Sequence, residues 1–281
     1  MERSRHRQIN YRLWFTYLFL IVLCLLWIVP IITLIATAIK SKKDFFSGMG
    51  LFDLPKQISW KNFTNALTTG NMLLYMKNDL IICIFKVPLG ILIEAMAAFA
   101  LTRLKVHRPT GLFIFFLVGM MLPMQVALVP ISIVYSKLNL FNTYFGLFFV
   151  YIGFGISFGI LVMRGFFLSI PNEMDEAAYI DGCNKPQLFL RIMLPLAKPA
   201  IATLLISDFL ATWNEYMLAN VIINKASMKT VPPGLMTFVG QNGTDYGGLC
   251  AGVLISVVPV MIVYLVFQKY FVQGMAGAIK A

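Results

Sequence analysis

Charge is what this chain has least of. Only 12% of its 281 residues are Asp, Glu, Lys or Arg, while 59% are hydrophobic and the mean hydropathy is +0.80. A soluble domain could not cover that much apolar surface, so lipid must be part of the solvent. Histidine is nearly missing: His6 and His107 are the whole supply. With no clustered acid pair beside them, the chain offers little to a metal centre or to general acid–base chemistry, which argues against a polytopic membrane enzyme. Cys24, Cys83, Cys183 and Cys250 have no paired or metal-like spacing and read as structural thiols. No GxxxxGK[ST] phosphate loop occurs, so the chain cannot cradle a nucleotide in that manner. Period-2 alternation over ten-residue segments is also missing, which disfavours a transmembrane barrel.

What is abundant is long apolar sequence. About 20 apolar residues cross a hydrocarbon core of roughly 30 Å as a helix. Six stretches qualify, near residues 14–39, 80–101, 111–135, 144–167, 200–223 and 249–271. They predict an all-α membrane protein, one transmembrane domain over residues 1–281 with no soluble domain attached. The first stretch is too long for a signal-peptide core and lacks a small-residue cleavage site, so it reads as a retained helix. The formal net charge of +11 fits membrane orientation better than nucleic acid. With both termini inside, thirteen Lys and Arg lie on the cytoplasmic side, Arg3, Arg5, Arg7 and Lys280 among them, and nine lie outside. The first external segment, about residues 40–75, carries Lys40, Lys42, Lys43, Lys56 and Lys61. It also holds Phe45, Phe46, Leu51, Phe52 and Trp60, which suits a small cap or a surface that receives a soluble partner.

The cytoplasmic segment at about 168–198 is the most informative. Pro171 and Asn172 form a helix-start signal, and Glu173, Asp175 and Glu176 place negative charge at the positive end of the helix dipole. Gly182 suits the left-handed position that ends a helix. Asn184 offers a second cap, with Pro186 in the first turn and Pro195 limiting the second helix. Met174, Ala177 and Ala178 fall at i, i+3 and i+4, so they are expected on one face, small enough for a partner to approach. Glu176 and Asp181 flank that face, positioned to pair with basic residues. Its acidity sets it apart from an amphipathic helix lying on anionic lipid.

The spacing of EAAYIDGCNKPQLFLRIMLP (residues 176–195) resembles the EAA loop of binding-protein-dependent ABC importer permeases. The wider sequence resembles the maltose-permease-like, carbohydrate-uptake branch over nearly its whole length. NDLIICIF, AAFALTRLK, MLPMQVALVP, LNLFNTYFGL, RGFFLSIPNEMDEAAYIDG, LPLAKPAIAT, FLATWNEY and FVQGMAGAIK come one after another in the family's order. The resemblance implies a type I permease fold of six helices with a cytoplasmic coupling helix, in a bacterial or archaeal cytoplasmic membrane. It implies a second homologous permease subunit, two ATPase subunits that use ATP and Mg, and an extracytoplasmic sugar-binding protein. It places Glu176, Ala177, Ala178 and Gly182 in the contact with the ATPase, and marks the tail around residues 274–280 as a candidate regulatory element.

Polar groups within spans are costly and mark interior or water-filled paths. Lys86 and Glu94 stand in the second stretch, eight residues and about 12 Å apart along a helix, too far to form a tight pair by simple spacing. Lys86 is expected to snorkel or to pair with the partner subunit rather than touch solute. Asp208, Trp213, Asn214, Glu215 and Tyr216 combine carboxylate, amide and aromatic groups that suit a sugar's hydroxyls and ring faces. An interfacial aromatic belt explains the same residues without a solute. Gln125, between Pro123 and Pro130, is a further candidate, since those prolines can break the third helix where a cavity is lined. Gly155 and Gly159 form a GxxxG that predicts close helix packing. The alternatives are a permease for a phosphorylated polyol, suggested by the basic external segment, and a stand-alone secondary transporter driven by an ion gradient.

Overall fold

The computed structural model describes residues 11–41, 43, 44, 47, 50, 53, 55–240 and 243–278. Arg3, Arg5, Arg7, Lys42, Phe45, Phe46, Leu51, Phe52 and Lys280 lie outside the described residues. The chain divides into two compact units, one of residues 1–70 and 238–255, the other of residues 71–237 and 256–281.

In the first unit, α1 (Tyr11–Ala38) carries an apolar stretch of 26 residues with mean hydropathy 3.1. Its side chains are exposed along nearly the whole length, as expected of a helix solvated by lipid or covered by another subunit. Only its end is buried, at Ala36, Thr37 and Ala38. There Asn62 of α2 (Lys61–Leu67) donates from Nδ2 to the carbonyls of Ala38 at 2.9 Å and Lys40 at 2.8 Å, satisfying groups that a helix terminus leaves open. Lys40 is fully buried and its Nζ donates to Gly50 O at 2.6 Å. Val239–Gly240 pairs antiparallel with Gly243–Thr244.

The second unit is built on α3 (Met72–Arg103), which packs against α6 (Tyr144–Ser169) and α8 (Lys198–Trp213). Its buried residues, including Tyr75, Asp79, Ile82, Lys86, Gly90 and Glu94, recur at helical spacing and make one stripe. Lys86 and Glu94 therefore belong to the core. Near its start, Asn78 donates to the carbonyls of Ser227 and Lys229 and accepts from the Tyr144 hydroxyl at 2.8 Å. Asp79 accepts the N–H of Val231, the first residue of α10 (Val231–Leu235). These bonds start the helix at Met72, eight residues before the expected apolar boundary.

The third stretch is two helices, α4 (Pro109–Met120) and α5 (Met124–Leu138), bent by 94°. Pro123 supplies the break, with extended backbone at the head of α5, whereas Pro130 is accommodated inside α5. The fifth stretch also departs from expectation: α8 ends at Trp213, and a short α9 (Met217–Ile222) comes after it. α7 (Glu173–Ile180) and a helical run Lys185–Leu196 precede α8, which turns from that run by 74°. α11 (Tyr246–Ala278) closes the chain. Among the described residues, four helices are long and apolar enough to cross a membrane alone, and up to six crossings result if each bent pair is one span.

Candidate coupling helix and intramembrane cavity

α7 begins where the sequence predicts, but not by the predicted cap. Asn172 has helical backbone and makes no capping bond; its Oδ1 accepts instead from Arg103 Nη1 at 3.0 Å. Arg103, the last residue of α3, also donates from Nη2 to the carbonyls of Phe167 at 3.0 Å and Ile170 at 2.6 Å, closing the end of α6. Its Nε lies 2.7 Å from Asp175 Oδ2. One planar guanidinium thus ties α3, α6 and α7 together, a task suited to its fixed fork of donors. Burial lifts the Asp175 carboxyl above the ordinary aspartate value, and the adjacent Arg103 guanidinium pulls it the other way.

The far end of α7 obeys the expected chemistry. Gly182 adopts φ +80°, and Cys183 N–H bonds back to Ala178 O at 2.9 Å. Asn184 and Gln187 then form a reciprocal capping box at the head of the next helical run. That run widens into a π turn at Leu188–Met193, just ahead of Pro195, which has no N–H for the carbonyl four residues back. The predicted shared face needs correction. Ala178 is 3% exposed and turns inward with Asp175, while Met174, Glu176, Ala177, Asp181 and Gly182 face outward. Tyr179 is also exposed, and Ile180, at 86%, is the most prominent apolar group on the helix.

A cavity of about 280 Å³ opens between α3, α5, α6 and α8. Lys86, Asp208, Glu215 and Tyr151 supply its polar groups, and Phe154 and Phe158 are among its apolar walls. Lys86 does not snorkel: it is 2% exposed and its Nζ donates to Asp208 Oδ2 at 2.8 Å within the same chain. Glu94 is equally buried, with Oε2 lacking a hydrogen-bond partner among the described residues. The Gly155–Gly159 pair makes room for these charges. A Cβ on Gly155 would stand 3.2 Å from Lys86 Nζ, and one on Gly159 only 1.9 Å from Glu94 Cδ. The glycine face predicted for helix packing is therefore where the Lys86 and Glu94 heads sit.

The remaining solute-path candidates separate. Glu215 lines the cavity, but both its oxygens are engaged, by the Tyr151 hydroxyl at 2.8 Å and by the N–H groups of Leu218 and Ala219 at the start of α9. Trp213 is 1% exposed, stacks on Phe209 and donates to Ser256 O. Asn214 bonds back to Leu210 O. Tyr216 and Gln125 are exposed and are not among the cavity walls, although Met124 beside Gln125 is. Arg103, the Asp208 partner of Lys86 and the Tyr151 clamp on Glu215 were not predicted. The sequence signals were Arg103 as a basic residue at the end of an apolar run and Asp208 and Glu215 as carboxylates within the fifth stretch; the pairings themselves carried none.

Comparison with known proteins adds to this geometry. A family profile described as the binding-protein-dependent transport system inner membrane component matches residues 86–277. The chain belongs to this family. It is therefore a membrane protein and a permease component of an ABC transporter. The permease is 36% identical to "Probable ABC transporter permease protein YurM" of Bacillus subtilis, over 94% of this chain and 87% of that protein. It is 32% identical to the multiple sugar-binding transport system permease protein MsmG of Streptococcus mutans, over 99% and 100% of the two chains. With the arabinooligosaccharides transport system permease protein AraQ of Bacillus subtilis the identity is 30% over 94% of each. A chain from a bacterial ABC transporter involved in the import of the acidic polysaccharide alginate has the same fold. The TM-score is 0.82 at 24% identity, covering 96% of the permease and 100% of that chain.

Proposed function

We propose that this permease conducts a sugar or oligosaccharide across the cytoplasmic membrane as one half of a membrane pathway, driven by separate ATPase subunits. The observation that carries the reading is α7: a short helix with an exposed acidic and apolar face, fixed to the ends of α3 and α6 through Arg103. Such a helix passes a push on its outer face directly to two long helices, the element an ATP-driven transporter needs to bias inward- and outward-open states. In this reading Glu176, Ala177, Asp181 and Gly182 meet the ATPase, and Ala178 holds α7 to its own chain. The ATPase pair binds ATP and Mg, a second homologous permease completes the path, and an extracytoplasmic binding protein delivers the solute. Both termini and α7 lie on the cytoplasmic side. Relatives named for sugars and oligosaccharides support a carbohydrate as solute. A phosphorylated polyol is less well served: the cavity sets one lysine against Asp208 and Glu215, and Lys40 of the basic external segment is engaged by Gly50.

The test is ATPase activity of the reconstituted complex, stimulated by loaded binding protein, with Glu176→Lys and Gly182→Asp beside wild type. Both variants should insert yet lose stimulated hydrolysis, uptake or stable association with the ATPase. Full assembly, hydrolysis and uptake in both would remove α7 from the coupling path and reopen the stand-alone transporter.

A further inference from the structure

Two carboxylates and one lysine are buried together in the apolar interior of the second unit. Lys86 bonds Asp208 at 2.8 Å, with side-chain exposures of 3% and 5%. Glu94 is 1% exposed, and its Oε2 has no hydrogen-bond partner among the described residues. The three heads converge on the same glycine positions. A Cβ on Gly155 would meet Lys86 Nζ at 3.2 Å, with Asp208 Oδ1 and Glu94 Oε1 each at 3.9 Å. A Cβ on Gly90 would meet Asp208 Oδ2 at 3.6 Å and Glu94 Oε1 at 3.8 Å. Glu94 is thus within reach of the lysine by a change of rotamer, yet the lysine is given to Asp208.

An uncompensated polar group in a dry interior is costly, and such groups in natural proteins call for an explanation. We propose that Lys86 is a two-partner switch and that Glu94 is its second partner, holding the lysine in the other state of the transport cycle. This rests on the reading that separate ATPase subunits drive the permease. Asp208 stands on α8, whereas Lys86 and Glu94 both stand on α3. In the present state the lysine ties α3 to α8 across the cavity wall. When it turns to Glu94 the tie becomes internal to α3, α8 is released, and Asp208 is left facing the cavity with free acceptors. Glu94 is then a positioning residue: it permits the release of α8 by giving the buried cation somewhere to go.

The experiment is basal ATP hydrolysis by the reconstituted complex without binding protein, so that no solute need be known. Asp208→Asn removes the partner of one state and Glu94→Gln the partner of the other. Whichever state favours hydrolysis, the two variants should move the basal rate in opposite directions, each on the order of fivefold, the low end of ordinary coupling between sites. Both shifts should vanish in a Lys86→Met background. Shifts of the same sign, no shift, or opposite shifts that persist without Lys86 would overturn the switch. So would failure of either single variant to assemble, since each leaves the lysine one partner. A wild-type complex whose ATPase ignores loaded binding protein would take down the functional reading with it. A responsive wild type with parallel variants takes down the switch alone.

Discussion

Arg103 and Asp175 make a contact in which charge, geometry and burial can be separated. Arg103→Met would strand a buried carboxylate, take the side-chain donor from Ile170 O and leave Phe167 O with only the Ile170 N–H. Loss of one member of a buried ion pair costs on the order of 3 kcal/mol, so the detergent-solubilised permease should melt several degrees lower. Arg103→Lys should recover only part of this, because an ammonium cannot reproduce the fork. Asp175→Asn should be milder, since burial already works against the ionised form. The pH dependence has a definite sign. A carboxyl raised in the folded state contributes stability below its unfolded value, and loses it as pH rises through its folded value. From 3.8 toward neutrality, wild type should therefore lose stability relative to Asp175→Asn. Wild type gaining on the variant over that window would show that Arg103 outweighs burial. At this scale the sequence is half legible. Lys86 and Glu94 stand out because charge interrupts an apolar run. Their relation to Asp208, 122 residues away from Lys86, is a product of helix packing that no spacing rule reaches.

At the scale of elements, backbone punctuation was readable and helix ends set by tertiary bonds were not. Gly182, Asn184 and Pro123 act where their local chemistry says they should, because each effect is confined to one turn. The early start of α3 depends on Asn78 and Asp79 meeting residues 227–231, and the end of α8 coincides with Glu215 turning to cap α9. The partners of Asn78 and Asp79 lie 149 to 152 residues away, and the Tyr151 hydroxyl that holds Glu215 is 64 residues from it. Gly159 offers an element-level test, because with α3 and α6 packed as they are the Glu94 head occupies the space a Cβ would take. Gly159→Ala alone should cost about 1–3 kcal/mol through overpacking and lower the yield of monodisperse protein. Combining it with Glu94→Ala should restore much of that yield, a coupling expected of residues in contact. Equal losses with and without the Glu94 change would mean that the glycine serves backbone approach instead.

At the scale of the whole molecule the decisive question is which side of the membrane α7 occupies. Apolar length and composition identified a helical membrane protein, and the ordered motifs identified its family. The charge balance across the loops left orientation with only a modest bias, because the first external segment is itself basic. Ile180 provides the handle. It is 86% exposed and makes none of the contacts that anchor α7, so Ile180→Cys should fold normally. Its accessibility then reports the environment of the helix. In a background where Cys24, Cys83, Cys183 and Cys250 are replaced by Ser or Ala, a membrane-impermeant maleimide should label this cysteine in inverted vesicles and not in intact cells. Co-expression with the cognate ATPase should slow that labelling by an order of magnitude or more, because an apolar side chain on the docked surface of a helix is sealed from solvent. Labelling in intact cells would invert the topology and place α7 with the binding protein. Cytoplasmic labelling that the ATPase leaves unchanged would keep the orientation and move the docking surface elsewhere on the loop.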